Sequence, residues 1–138
     1  MRFVIVTGMS GAGKSSVLKM LEDFNYFCVD NLPIPLVKKF ARLIIQGKQE
    51  RVALGIDIRS GQALKELELV LRDIRNMRFS FEILFLDCST EVLVKRYKET
   101  RRLHPLSRGG RIEKGIELER ERLEFLKRQA DIIIDTSH

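Results

Sequence analysis

A chain of 138 residues with 44% apolar and 32% charged residues has the size and balance of one soluble domain with a substantial core. No apolar run is long enough to span a membrane, and "FVIV" after Arg2 is too brief for a signal-peptide core, so a cytoplasmic protein is expected. Cys28 and Cys88 lie far apart with no CxxC and no paired histidines; this gives no support to a zinc site or disulfide framework, and buried, reduced thiols are expected.

In chain order the sequence alternates strand and helix. "RFVIVTG" (2–8) is a β-branched, almost wholly apolar run, as expected of a strand buried on both faces. A helix over 14–24 follows, with Val17, Leu18, Leu21 and Phe24 near helical spacing, and "YFCVD" (26–30) is a second strand. "NLPIPLVKKFARLIIQG" opens with prolines, tolerated in a first turn, and stops at Gly47. "RVALGID" (51–57) is a third strand, and "GQALKELELVLRDIRNM" an amphipathic helix with Leu64, Leu67, Leu71 and Ile74 on one face. "FSFEILFLDCS" (79–89) supplies strand four, "TEVLVKRYKETRRLH" and "GIELERERLEFLKRQA" two helices, and "DIIID" (131–135) strand five.

This alternation implies right-handed crossovers and an α/β three-layer sandwich around a five-stranded parallel sheet, with ligands at the carboxyl ends of the strands. Each strand there ends in a polar signal: the glycine loop after the first, then Asp30, Asp57, Asp87 and Asp135. Asp87, before "CST" and a helix, reads as a helix cap.

The loop Gly8-Met9-Ser10-Gly11-Ala12-Gly13-Lys14-Ser15 fits GxxxxGK[ST] at every fixed position, between a buried strand and a helix. Glycines let successive N–H groups curl around an anion, and the following helix adds its N-terminal donors and dipole. In such a P-loop, Lys14 reaches the β- and γ-phosphates and Ser15 offers its hydroxyl to Mg²⁺. "VALGIDIRS" ends an apolar strand in an acid, so Asp57 is expected to hold Mg²⁺ with Ser15. Arg59 is within reach of transferring phosphate oxygens or is an ordinary loop arginine. Asp30, at the end of strand two, is a general base, a Mg²⁺-water ligand or a cap with Asn31. Lys14, Asp30 and Arg59 are the catalytic candidates.

Residues 90–128 hold twelve Lys or Arg against seven Glu and carry most of the net charge of +6. "KRYKETRRLHPLSRGGR" reads as a lid offering Arg96, Arg101, Arg102, Arg108 and Arg111, with Gly109-Gly110 as hinge. One or two of these arginines are expected on phosphates, His104 is read as lid packing, and the Glu-interleaved helix beyond as a solvated face.

Taken together, "VTGMSGAGKS", "YFCVDNLP", "DIRSG", "LFLDCS", "KETRRLHPL", "GIELERERL" and "ADIIIDTS" resemble the RapZ/YvcJ family of bacterial P-loop nucleotide-binding proteins along the whole chain. The resemblance implies a kinase-like N-terminal domain that binds ATP and GTP and hydrolyses them weakly. It assigns ATP to Gly8 through Ser15 and GTP to Asp57, Ile58, Arg59 and Ser60. It further implies, for some bacteria, an RNase adapter for small RNAs responsive to a sugar phosphate, and it allows a homo-oligomer. RNA and sugar-phosphate binding belong in that family to a second domain of similar size, which is expected to follow this one. The chain ends just after a strand expected to be covered by a following helix, so an excised N-terminal domain or a proteolysed fragment is expected. The competing reading is a small-molecule P-loop kinase, for which Asp30, Asp57 and the arginine lid are suited. A third is an RNA-binding protein whose loop is a relic; no tryptophan and only Tyr97 in the basic stretch speak against a base-stacking platform.

Overall fold

β1 (Arg2–Gly8) carries the burial of a central strand: Phe3 through Thr7 are enclosed without a break. A computed structural model describes residues 2–77, 79–100 and 112–137. Within them the chain continues through α1 (Lys14–Asp23), β2 (Phe27–Val29), α2 (Ile34–Gln46), β3 (Arg51–Gly55) and α3 (Gly61–Asn76). β4 (Glu82–Asp87), α4 (Thr90–Thr100), α5 (Ile112–Gln129) and β5 (Ile132–Asp135) complete the order. The sheet runs β2-β3-β1-β4-β5, and every neighbouring pair is parallel.

The register sorts side chains by size. Phe3 pairs with Val52 and Ile5 with Leu54, whereas Val4 pairs with Ala53 and Val6 with Gly55. Because partners in a parallel ladder share a face, the bulky set lies on one side of the sheet and the smaller set on the other. The bulky side receives α2: the Phe3 ring lies 6.5 Å from that of Phe40 and meets Phe79 edge-on at 5.0 Å. The small side admits α1 so closely that a Cβ on Gly55 would stand 2.8 Å from Leu18 Cδ1. Handedness gives the same division. The crossover β1→β2 runs across the sheet opposite to β2→β3 and β3→β4, so α1 lies on one face and the mutually packed α2 and α3 on the other. The expected three layers and five parallel strands are thus present.

Boundaries differ from the expected ones where pairing or packing decides them. β4 starts at Glu82 rather than Phe79, because its ladder with β1 begins at the Val4–Glu82 pair and Phe79 is used in packing against Phe3. α2 starts at Ile34, with Pro33 at the N-cap and Pro35 in its first turn. α5 begins at Ile112, earlier than the pattern suggested. The predicted extension of α4 to His104, the lid arginines 101, 102, 108 and 111 and the Gly109-Gly110 hinge lie outside the described residues.

Two readings are corrected. Asp87 does not cap α4: Ser89 does, its Oγ accepting from Val92 N at 3.3 Å, while Asp87 binds α5. Cys88 is buried as expected, but Cys28 is only half-buried; its thiol donates to Leu18 O, and burial, with the Glu22 charge, pushes it above its ordinary range. Among the described residues no helix is long and apolar enough to cross a membrane.

Candidate functional site

From β3 the chain passes over β1 to β4, so the connections diverge at the carboxyl end of β1 and leave a crevice there. The glycine loop opens into it. Gly8, at φ 144°, lies so close to β4 that a Cβ would meet Leu86 O at 2.2 Å, and Met9 N donates to the same carbonyl at 3.0 Å. The chain then turns back, with Ala12 N donating to Met9 O at 3.1 Å. Gly13, left-handed at φ 96° and ψ 30°, is the N-cap of α1; a Cβ there would meet nothing within 4 Å. The loop therefore delivers the free N–H groups of the first turn of α1 to a cleft of about 400 Å³.

Three loops bring charge to this mouth. Lys14 Nζ donates to Asp57 Oδ1 and to Asn31 Oδ1 (3.1 Å), and lies 3.7 Å from Asp30 Oδ1. Ser15 Oγ donates to Asp30 Oδ2 at 3.1 Å, and Arg59 Nη2 lies 3.8 Å from Asp57 Oδ2. The strand-end acids thus share the single ammonium of the loop. Asn31 joins them in the left-handed conformation, φ 56°, which asparagine tolerates. Asp30 is no helix cap, since α2 is capped at Pro33 without a side-chain bond.

Of the segment 57–60, Asp57 and Arg59 line the cleft, whereas Ile58 is buried in the core and Ser60 caps α3, its Oγ accepting from Ala63 N at 3.0 Å. Met9 and Ala12 are buried, so they shape the loop through their backbones. Arg96, one of five arginines of the lid stretch of which one or two were expected on phosphates, holds the loop itself, donating to Gly11 O at 3.0 Å and to Thr136 O.

Sequence reasoning missed four contributors. Thr136 Oγ1 donates to Ala12 O at 2.6 Å. Glu119, on α5, accepts from Ser10 N at 2.9 Å and from Ser10 Oγ at 2.6 Å. Arg120 and Lys127 each pair with Asp87 at 2.7 Å. Burial raises the Asp87 pKa, but the bonds from Lys127, the Cys88 amide and Arg120 outweigh it and hold the carboxyl below its ordinary value. One of these was signalled: Glu119 falls on the apolar stripe of α5 with Ile116, Leu123 and Leu126, where a solvated acid does not belong.

The donor set fits an oligophosphate. Backbone donors, a cation and an open left-handed glycine face one cleft, and Thr7, which lines it, carries a fully buried hydroxyl with no partner among the described residues. It also fits a hard cation held jointly with phosphate, because Ser15, Asp30 and Asp57 offer oxygen only. Among the described residues no cluster of three or more metal-ligating side chains forms a cage that would bind an ion by protein alone.

Fold and loop together define the chain as a P-loop protein of the kinase-like type. Solved structures of that architecture agree: shikimate kinase from Bacteroides thetaiotaomicron aligns over 98% of this chain and 86% of its own, with a TM-score of 0.61 at 16% identity. Shikimate kinase from Acinetobacter baumannii, in complex with shikimate, gives 0.64 at 15% identity, over 100% of this chain and 85% of that one. At such identities the likeness is one of fold. The chain belongs to the RapZ-like N-terminal domain family, whose model matches residues 1–138. Relatives include a nucleotide-binding protein of Lachnoclostridium phytofermentans, 70% identical over 139 residues covering 99% of this chain and 49% of the relative. Another, from Clostridium novyi, is 56% identical over 100% of this chain and 48% of its own. The chain spans about half the length of the curated relatives it matches.

Proposed function

We propose that this chain is a nucleotide-binding regulatory domain that takes ATP, and GTP, as their Mg²⁺ complexes and hydrolyses them slowly. The observation that carries this reading is the convergence of Lys14, Ser15, Asp30 and Asp57 on the mouth of one glycine loop. Gly8 through Ser15 enclose the β- and γ-phosphates. The amides of that stretch not engaged by Leu86, Glu119 or Met9, those of Gly13, Lys14 and Ser15 at the start of α1 among them, donate to the phosphate oxygens. Lys14 exchanges its carboxylate partners for phosphate oxygens, which frees Asp57 to hold the ion with Ser15. The Mg²⁺ ion, when bound, supplies charge neutralisation at those oxygens. Asp30 orients the attacking water through the carboxylate that now accepts from Ser15, and Arg59 is positioned to meet charge developing on the transferred group. A guanine nucleotide reaching the 57–60 segment would meet Asp57 and Arg59, since Ile58 and Ser60 are otherwise engaged. The relatives' name, nucleotide-binding protein, supports the assignment.

In the whole protein we assign contacts to RNA, RNase and a sugar phosphate to the part beyond this chain, and its working place to the cytoplasm, where nucleoside triphosphates are. The second reading is phosphoryl transfer to a small acceptor, favoured by Asp30 and Arg59 lying at one mouth and by the kinase fold.

Calorimetric titration with Mg²⁺-ATP and Mg²⁺-GTP, on the wild type and Lys14→Ala, tests the reading. Binding weakened about 10–100-fold in the variant is expected, the equivalent of one charge-assisted contact to phosphate. No heat from a folded wild type would overturn it. Turnover that rises by orders of magnitude with a sugar or sugar phosphate present would favour the kinase instead.

A further inference from the structure

Glu119 is the one charged side chain among the described residues that is fully enclosed, at 3% exposure. It stands on α5 between Ile116 and Leu123, at spacings that place it on their face of the helix, and both neighbours are core residues. A carboxylate buried there without need would be a burden twice over. Its desolvation is costly, and its charge opposes any anion brought to the loop beside it. Among the described residues, its bonds to Ser10 give it a role there. Ser10 contributes both its amide and its hydroxyl to this one carboxylate, across 109 residues of chain.

The rest of the loop is held in the same way, each residue by a different element. Met9 N is fixed to Leu86 of β4, Gly11 O to Arg96 of α4 and Ala12 O to Thr136 beyond β5. Gly11 also lies against Tyr97, whose ring would be 3.3 Å from an added Cβ. A P-loop amide is useful to an anion only while the loop keeps the path that aims it inward. Ser10 opens the turn of that path, and α5 alone supplies its anchor among the bonds described.

We propose that Glu119 is a positioning residue for the phosphate loop: through it α5 holds Ser10 and sets the aim of the loop amides. This rests on the reading of the loop as a nucleotide-phosphate site. By linkage the hold is reciprocal, so ligand at the loop and displacement of α5 bias each other.

The test uses the full-length protein with Glu119→Ala, Glu119→Gln and Ser10→Ala. Amide hydrogen exchange is read at residues 9–13 and, as a control, in β1 and β3; Mg²⁺-ATP affinity is read by calorimetry. In Glu119→Ala, exchange at residues 9–13 is expected to quicken about tenfold or more while β1 and β3 keep their protection, and affinity to fall by a similar factor. Glu119→Gln, whose carbonyl still accepts from Ser10 N, is expected to stay within about threefold of the wild type. Loop exchange unchanged in Glu119→Ala, or rising only in step with the control strands, would overturn the proposal and leave a plain buttress of the fold. Should Glu119→Ala not fold, the pair Ser10→Ala and Glu119→Gln decides. Ser10→Ala removes the hydroxyl bond to Glu119 and leaves α5 untouched. It is expected to quicken exchange at residues 9–13 several-fold with β1 and β3 unchanged, while Glu119→Gln stays near the wild type; loop exchange unchanged in Ser10→Ala would overturn the proposal. Absence of ATP binding in the wild type would sink the nucleotide reading alone, because the exchange measurement needs no ligand.

Discussion

Two glycines of the same motif should fail in different ways when replaced by alanine. A Cβ on Gly8 would stand 2.2 Å from Leu86 O and 2.6 Å from Leu86 N, both backbone atoms of the paired strand, and the residue sits at φ 144°. Relief requires β1 and β4 to move apart. Overpacking and a glycine-only conformation together amount to about 3–6 kcal/mol, a large share of a domain's stability. For a chain of this size that is a fall in melting temperature of about 10–25 °C. On Gly13 an added Cβ meets nothing within 4 Å, so the φ of 96° is the only strain. That amounts to about 1–2 kcal/mol, a fall of about 3–10 °C. The methyl group would nevertheless occupy the inner wall of the loop, and ATP affinity should drop about tenfold or more, as for one lost charged contact. Thermal unfolding by circular dichroism gives the first quantity and calorimetric titration of the folded variant the second. Equal melting temperatures for the two variants, or Gly13→Ala binding as the wild type does, would refute the reasoning.

Gly55→Ala should disturb the site from beneath: its Cβ would lie 2.7 Å from Asp30 Oδ1 and 2.8 Å from Leu18 Cδ1, both ends of movable side chains. A modest loss of about 1–2 kcal/mol is expected, with Asp30 pushed from Ser15 and turnover reduced more than ATP affinity, a split that steady-state kinetics beside calorimetry would detect. Asp87 predicts an acid limb of stability. Its folded pKa lies below the ordinary 3.8, so its contribution is whole above that value and is lost as pH falls through the window beneath it. The stability gap between the wild type and Asp87→Asn, measured by denaturant titration, should therefore be widest near neutral pH and close below pH 3.8; a gap constant into strong acid would contradict this.

The strands, helices and phosphate loop were legible because each is written in a short window. Continuous apolar runs mark strands covered on both faces, and the fixed glycines of 8–15 mark a chain that must turn through positive φ. Asp30 and Asp57 were legible too, as acids ending such runs. The place of Arg96 was not legible because a basic stretch does not say which way one guanidinium turns, and Asp87 was misread because Ser89, two residues on, competed for the same cap.

By itself, then, the sequence determined that a P-loop stands at the end of a buried first strand in a parallel α/β sheet, since periodicity and turn chemistry act over a few residues. Only the tertiary structure decided what holds that loop. The bonds from Arg96 to Gly11, Ser10 to Glu119 and Thr136 to Ala12 span 85, 109 and 124 residues. Such contacts depend on strand order, register and helix rotation together, and no local pattern in the chain encodes all three.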